Sequence, residues 1–462
     1  MATLDIVIIL TWLTIAFLIG IIPGFKTNFE GFWLNNKKTK ISSLVFTIVA
    51  TQVGGGTIIG IASSTYKDGL GFGVVALLST VVGFVLIGIN APKIKKIADD
   101  INAFTLSEII GHYYGKIAQR ICGIIILFAY FSLLASQIVS TTTLLNVWTG
   151  VSFDAALWVA GVGMLIYCAF AGLKGDISSD IFHFWGMVLF YFFIFSPKIL
   201  FTENISGFLS NLTWDKISPV KFGGYTYLIA GVLFGAIIPL VSMELWMRIF
   251  ASEKATDAKK AYLISAASVV PFYVLPMIIG LISITTLTGV TNPDNILISN
   301  FLKYLPSGLL GIGIASLFSV TISTANTYVV VLSATFYRDV LMFNKVGGDK
   351  ELKVSRIVTL LIGVVGIAYS LMLPNIVQLI LNGFFGISII FPPLVYGFVS
   401  KKKLNALSGI ISLTLGFILT AAFIPILSNQ AFVPGLLGSI FGLFIGNLVN
   451  KLVNKRCLNT LS

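Results

Sequence analysis

The chain has 462 residues, of which 56% are hydrophobic and only 10% are charged. Soluble domains carry about 25% charged residues, so this composition predicts a polytopic helical membrane protein. Membrane β-barrels alternate polar and apolar residues, and the long apolar runs of this chain do not. The net charge of +12 does not indicate nucleic-acid binding, because the basic residues gather in short loops between apolar segments.

Thirteen apolar segments follow along the chain, each with roughly the 20 residues that span a bilayer core of about 30 Å. The first run is long enough to be a true span, so no cleaved signal peptide is expected. The predicted spans are residues 4–24, 42–66, 70–92, 117–145, 154–172, 178–200, 224–248, 261–288, 306–336, 356–373, 375–399, 404–426 and 431–450.

The basic residues are distributed unevenly between the two sides of this arrangement. With the N-terminus outside, only five of the 30 Lys and Arg residues fall in outer loops, and Arg248 is counted with an inner loop. Cytoplasmic loops carry such an excess of positive charge. We therefore predict a multi-pass protein of the plasma (inner) membrane with the N-terminus outside and the C-terminus in the cytoplasm. The five outer residues are Lys67, Lys198, Lys216, Lys221 and Lys303.

Three consecutive glycines, Gly54 to Gly56, interrupt the second predicted span. Each costs roughly 1 kcal/mol against Ala in a helix interior. A broken helix in lipid survives only where it is buried in protein or lines a cavity, as in transporters that hold ions at an unwound segment. Close packing of two membrane helices is the other explanation. The polar neighbours Thr51, Gln52 and Thr57 favour a binding site.

The segment 306–336 carries an unusual number of hydroxyl and amide side chains. Helical spacing places Val320, Ser323, Thr324 and Thr327 on one face. Neutral oxygens of this kind suit a hard monovalent cation. The alternative is that the hydroxyls bond the backbone one turn back or join neighbouring helices.

Asp180 lies near the start of the segment 178–200, and a carboxylate inside a span is a candidate functional residue. Asp176, in the sequence GLKGD, is interpreted as part of a loop.

Four stretches together resemble the sodium:solute symporter family, and the resemblance extends over residues 4–450. They are ATQVGGGTIIGIASSTYKDGLG, GLKGDISSD, ELWMRIFASEKATDAKKA and SVTISTANTYVVVLSATFYRD. The last is the most specific, because it is similar to the family pattern M-S-T-x-(D/S)-x-x-L-x-x-x-S followed by an aspartate.

The resemblance implies an all-α membrane protein with a LeuT-type core of two inverted five-helix repeats. The implied organisation is a first helix with its loop (1–41), a first repeat (42–200), an outer loop (201–223), a second repeat (224–399) and two further helices with the tail (400–462).

The resemblance also implies where the ions bind. The shared sodium site of the family maps onto the carbonyls of Ala50, Val53 and Val320 and the hydroxyls of Ser323 and Thr324. A second sodium site of some members maps onto Asp180, Asn326 and Thr327. Asn326 stands where the family has serine, and Asp180 could instead line an inner exit path.

The substrate contacts of the family map onto Gln52, Thr57, Phe72, Ser79, Gln137 and Gln378. None of these residues is charged, which predicts a small neutral or zwitterionic solute such as an amino acid. Helix N-termini at the break can serve a zwitterion's carboxylate without an arginine. Uptake of a sugar, pantothenate or another carboxylate is the alternative.

The resulting hypothesis is sodium-driven symport by alternating access, with sodium as the only cofactor, a lipid bilayer as the environment and a monomer as the working unit. Proton coupling on the same fold remains open. A channel, a sensor or a membrane enzyme is less consistent with the sequence, which lacks a signalling domain and any cluster of His, Asp or Cys.

Overall fold

The computed structural model of the chain describes residues 2–202, 213–287, 289–290, 292–342, 349–372, 375–400, 404–427 and 430–459. Residues 203–212 of the predicted outer loop 201–223 lie outside this part of the chain. The described residues are predominantly helical, as the composition predicts. The helices are α1 (Thr3–Phe25), α2 (Phe29–Leu34), α3 (Ile41–Gln52), α4 (Gly55–Asp68), α5 (Gly71–Asp100), α6 (Leu106–Tyr114), α7 (Lys116–Thr149), α8 (Phe153–Val188), α9 (Ser196–Thr202), α10 (Trp214–Ile217), α11 (Gly224–Val241), α12 (Met243–Ala251), α13 (Ala255–Ser268), α14 (Val270–Thr286), α15 (Ile296–Tyr304), α16 (Leu309–Thr335), α17 (Asp349–Met372), α18 (Ile376–Ser388), α19 (Phe391–Val399), α20 (Ala406–Leu427) and α21 (Phe432–Asn459).

Within the described residues, 11 helices are long and apolar enough to cross a membrane, or up to 12 if the bent pair α3 and α4 is one span. The predicted number of thirteen is therefore not confirmed. The difference arises at Phe153–Ile199, a run of 47 residues that contains two of the predicted spans. Such a run is about 70 Å long, more than twice the bilayer core. Gly172, with φ 56° and ψ −171°, interrupts its helical geometry.

Two of the predicted spans are divided into half-helices. The helices α3 and α4 meet at Val53 and Gly54 with a bend of 49°. The helices α11 and α12 meet at Ser242, whose φ of −73° and ψ of 111° are extended. Both divisions leave backbone carbonyl and amide groups without a partner in their own helix.

The helix α16 is the most enclosed of the long helices, since 83% of the residues in its most apolar stretch are buried inside the protein. It packs against α1, α7 and α8, which explains why it can carry polar side chains away from lipid. Asp5 of α1 caps its beginning, since its Oδ1 accepts from the N–H groups of Gly308 at 2.6 Å and Gly311 at 3.0 Å. The helices α20 and α21 pack mainly against each other.

Candidate ion and substrate sites

The break between α3 and α4 frees a set of carbonyl oxygens. The N–H of Val53 donates to the carbonyl of Val49 at 2.9 Å, and this is the last bond of α3. The first bonds of α4 run to the carbonyl of Gly54, from Thr57 at 3.0 Å and Ile58 at 3.1 Å. The carbonyls of residues 50–53 therefore lie beyond the helical ladder and are available to other partners.

The glycines at the break allow a close approach to α16. A Cβ atom on Gly55 would lie 2.0 Å from Cγ2 of Thr321, and one on Gly54 would lie 2.8 Å from Oγ1 of Thr324. Both distances are too short for any side chain. The triplet therefore serves close packing as well as the break, so the two explanations offered by the sequence are compatible.

Thr324 joins the break to α16. Its Oγ1 lies 3.1 Å from the carbonyl oxygen of Thr51 and 3.1 Å from that of Val320, and it can donate to either. Gln137 of α7 borders the same place, since a Cβ on Gly54 would lie 3.3 Å from its Oε1. We call Thr324, the carbonyls of Thr51 and Val320, and Gln137 the neutral group. Its uncharged oxygens match the preference of hard monovalent cations.

The predicted sodium ligands are brought together only in part. Val320, Thr324 and the break that contains Ala50 and Val53 meet at the neutral group. Ser323 instead donates its hydroxyl hydrogen to Oδ1 of Asp180 at 2.5 Å, and so belongs to a second set of polar residues.

That second set is centred on two buried aspartates of α8. Asp176 accepts from Nδ2 of Asn326 at 2.5 Å and from Oγ1 of Thr327 at 2.7 Å. Asp180 accepts from Ser323 and from the hydroxyl of Thr47. The two carboxylates therefore fix α8 against α16 and α3.

Arg248 of α12 completes this set. Its Nη2 lies 3.3 Å from Oδ2 of Asp176 and 3.3 Å from Oδ2 of Asp180, and all three side chains are fully buried. We call Asp176, Asp180 and Arg248, with the hydroxyls that bond them, the charged cluster. Mutual pairing is what allows three charges to remain in a protein interior.

The charged cluster corrects two interpretations of the sequence. Asp176 lies inside α8 and not in a loop, and Arg248, counted with an inner loop from its sequence position, is 0% exposed. Asn326 and Thr327, predicted to join Asp180 around a second sodium ion, bond Asp176 instead. One signal is present in the sequence: Asp176 and Asp180 are four residues apart, and therefore share a helix face.

The predicted substrate residues divide into two groups. Gln52 lies at the end of α3, and its Nε2 is 3.4 Å from the hydroxyl of Tyr273, which also bonds Thr80 at 3.0 Å. Thr57 donates to the carbonyl of Gln52 at 3.4 Å. Gln137 is buried beside the break, and within the described part of the chain its Oε1 has no hydrogen-bond donor. Tyr273 and Thr80 are not anticipated by the sequence analysis, because single polar atoms in apolar segments give no sequence pattern.

The other predicted substrate residues lie elsewhere. Ser79 faces α11, where its hydroxyl donates to the carbonyl of Gly231 at 3.3 Å. Gln378 bonds Asn382 of its own helix at 2.8 Å, while Ile380 and Ile376 are the α18 side chains that lie over Gly56. Phe72 is half-buried near the start of α5.

Comparison with known proteins assigns this arrangement to a class. The sodium/pantothenate symporter of Escherichia coli (strain K12) is 24% identical over 433 residues, which cover 87% of each chain. That of Haemophilus influenzae (strain ATCC 51907 / DSM 11121 / KW20 / Rd) is 23% identical over 479 residues, covering 99% of this chain and 97% of the relative. A solved structure of a Na⁺-coupled sialic acid symporter, in a substrate-bound outward-open state, matches with a TM-score of 0.82 at 16% identity. The match covers 97% of this chain and 98% of the other.

These findings identify the class of the protein as a membrane symporter. They also confirm the predicted fold class, an all-α membrane protein with a LeuT-type core. The Sodium:solute symporter family matches residues 32–416, and the chain belongs to that family. Sodium is accordingly its coupled ion. The boundaries of the two repeats stay predictions.

Proposed function

We propose that this protein uses the inward sodium gradient to take up a small polar organic solute across the plasma (inner) membrane, working as a monomer. The orientation follows the distribution of Lys and Arg residues, with the N-terminus outside and the C-terminus in the cytoplasm. No covalent step is required, because sodium and substrate only need to favour the same conformations for their binding to be coupled.

The observation that carries the proposal is the contact between the break and α16 at Thr324. Its hydroxyl lies 3.1 Å from carbonyl oxygens on both sides of that contact. A sodium ion held by Thr324, Val320 and the carbonyls of Ala50 and Val53 would join the two helices without any charged ligand. Ser323 would complete this set by turning its hydroxyl away from Asp180.

A second sodium ion is proposed at Asp180, Asn326 and Thr327, with Asp176 added as a ligand. Asn326 is the residue that favours it. Its Oδ1 is buried and, among the residues that the structure describes, has no donor. A buried acceptor without a partner costs about 1–3 kcal/mol, and a cation would satisfy it.

For the substrate, we propose an organic carboxylate with neutral hydrogen-bonding groups, and pantothenate is the first candidate because two relatives carry that name. The Oε1 of Gln137, which has no donor among the described residues, can accept from a hydroxyl or an amide N–H. The first backbone amides of α4 have no partner in their own helix, so its N-terminus can bind the carboxylate. The second candidate is a zwitterionic amino acid, which the absence of charge among Gln52, Thr57 and Gln137 favours.

Uptake into proteoliposomes tests the proposal. Purified protein is supplied with labelled pantothenate and a panel of amino acids, sugars and betaines, with and without an inward sodium gradient. Wild type and Thr324→Ala are compared with Ser333→Ala, which removes a buried hydroxyl of α16 that bonds its own helix, at Val329 O (2.6 Å).

We expect sodium-driven accumulation of one substrate class in wild type and Ser333→Ala, with a strong loss of sodium dependence in Thr324→Ala. Accumulation driven equally well by a proton gradient without sodium would contradict the proposal. Equal sodium dependence in Thr324→Ala would refute the assignment of the first ion site.

A further inference from the structure

The side chain of Arg248 occupies the centre of the charged cluster. Its Nη2 is equidistant, at 3.3 Å, from a carboxylate oxygen of Asp176 and one of Asp180. Removing a charge from water is unfavourable unless the charge is paired and hydrogen-bonded. The guanidinium and the two carboxylates therefore depend on one another in this conformation.

The guanidinium nitrogens also lie within hydrogen-bond distance of oxygens on separate helices, and the two hydrogens of Nη2 are shared among several acceptors. Hydroxyls of α3 and α16 accept from it, as does a carbonyl of its own helix α12. These contacts are Nε to Thr47 Oγ1 at 3.1 Å, Nη2 to Thr51 Oγ1 at 2.5 Å, Nη2 to Thr327 Oγ1 at 3.0 Å and Nη1 to Glu244 O at 3.1 Å. One side chain thus joins α3, α8, α12 and α16.

These contacts overlap with the ion site proposed above. Asp180 and Thr327 are the oxygen ligands expected of a second sodium ion, and both are already bonded to Nη2 of Arg248. Two cations cannot use the same oxygens at the same time, because they repel each other and compete for the same space. We propose that Arg248 is a built-in cation of the second ion site, and that its guanidinium and sodium are alternative occupants of Asp180.

The charge balance agrees with an exchange of this kind. With both carboxylates ionised, the two aspartates and the guanidinium of the charged cluster carry one net negative charge. Glu244 is held apart from it, since its carboxylate accepts from the hydroxyl of Tyr130. If the guanidinium withdraws, Asp180, Thr327 and the Oδ1 of Asn326, which has no donor among the described residues, remain as oxygen ligands for a monovalent cation.

The fold offers a way for the guanidinium to withdraw. Arg248 stands on α12, a helix of nine residues that is separated from α11 by the extended backbone at Ser242. Movement of α12 away from α8 would remove the guanidinium from both aspartates at once. Sodium binding at Asp180 and the release of α12 are then the same event, which links the ion to the conformational change.

Equilibrium binding of radiolabelled sodium tests this inference, which rests on the proposed function. The number of sodium ions bound per purified protein is measured at a sodium concentration that fills only the first ion site of wild type. The proteins compared are wild type, R248K, R248Q and the double variant D176N/R248Q, which retains one negative charge. We expect R248Q and D176N/R248Q to bind one more sodium ion than wild type, and R248K to bind the same number as wild type.

The outcomes separate this inference from the proposed function. Absence of sodium binding by wild type would refute the proposed function itself. Sodium binding by wild type with no additional ion in R248Q or D176N/R248Q would refute only the role of Arg248. That role would also be refuted if neither variant can be purified folded in high sodium, because sodium would then be unable to replace the guanidinium.

Discussion

Two adjacent residues of α16, Ser323 and Thr324, point into chemically opposite surroundings. Thr324 belongs to the neutral group, where the oxygens come from hydroxyl, carbonyl and amide groups. Ser323 belongs to the charged cluster, where two aspartates and an arginine are buried together. The two sets are neighbours because successive residues of a helix point about 100° apart.

The difference indicates separate roles. Removing a monovalent ion from neutral oxygens costs no large energy. The neutral group therefore suits an ion that must bind and dissociate in each cycle. A buried ion pair resists separation unless another cation replaces the one that leaves, since each partner would otherwise be left uncompensated. We therefore expect substitutions in the charged cluster to change stability most, and substitutions in the neutral group to change transport most.

The largest effect is expected from Asp176→Ala. It removes the carboxylate that accepts from Asn326, Thr327 and Arg248. Loss of one partner of a buried ion pair costs about 3–5 kcal/mol, so the melting temperature of the purified protein should fall sharply.

The control for Asp176→Ala is Asp215→Ala. The ion pair of Asp215 with Lys221 is exposed, with side-chain exposures of 73% and 58%. Exposed pairs contribute little, so the melting temperature should not change measurably. Equal melting temperatures for the two variants would show that the charged cluster does not stabilise the fold.

Gly55→Ala should have the next largest effect. Its Cβ would lie 2.0 Å from Cγ2 of Thr321, so the break must move away from α16. Overpacking of this kind costs about 1–3 kcal/mol. Because the same movement separates the break from Thr324, the sodium concentration for half-maximal uptake should rise by about tenfold, which corresponds to roughly 1.4 kcal/mol.

Two further variants check the cause of that effect. Gly60→Ala lies in the same helix, but its Cβ would meet nothing closer than 3.9 Å, so uptake should stay normal. Thr321→Ser removes Cγ2, the colliding atom, and should partly restore sodium affinity when combined with Gly55→Ala. Failure of this restoration would argue that Gly55 acts through backbone flexibility and not through close approach.

Much of the neutral group could be predicted from the sequence because its signals are local. Three glycines at one point of a span indicate an interrupted helix, and hydroxyls at helical spacing indicate a polar face. Which hydroxyl faces the break is not local information. The sequence assigns Ser323 and Thr324 to one site, and only the packing of α8 against α16 separates them.

The charged cluster could not be predicted from the sequence, because it depends on the pairing of Asp176 with Arg248, 72 residues further along the chain. Considered alone, a charged residue at the end of an apolar segment is expected in a loop, because burial without a partner is unfavourable. Glycines and a lysine around Asp176 favour the same interpretation. The partner that makes burial possible comes from the other predicted repeat.

A smaller effect, confined to transport, is expected from Gln137→Leu. The Oε1 of this residue is buried and has no donor within the described residues, and its Nε2 donates to Oγ of Ser136 at 3.1 Å. The apolar replacement removes one hydrogen bond and one unpaired acceptor, so it should change stability little. If a substrate hydroxyl or N–H normally bonds this oxygen, KM for the substrate should rise by roughly tenfold, or about 1.4 kcal/mol.

Ser140→Ala is the control for Gln137→Leu. It lies nearly one turn further along α7, and its hydroxyl bonds the carbonyl of Ser136 at 2.7 Å. Its KM should be that of wild type. An unchanged KM in both variants would remove Gln137 from the substrate site.

The smallest effect is expected from Tyr273→Phe, which deletes the hydroxyl between Thr80 and Gln52. A buried neutral hydrogen bond contributes about 0.5–1.5 kcal/mol, so the loss of stability should be modest. Tyr262→Phe loses a comparable buried bond, from its hydroxyl on α13 to the carbonyl of Leu245 on α12 at 2.6 Å. The melting temperature of both variants should therefore be slightly lower than that of wild type. Only Tyr273→Phe should raise KM, because Gln52 loses the partner that orients it. A rise in KM of equal size in Tyr262→Phe would mean that transport responds to general loosening of the helices, and the substrate site would then extend no further than Gln137.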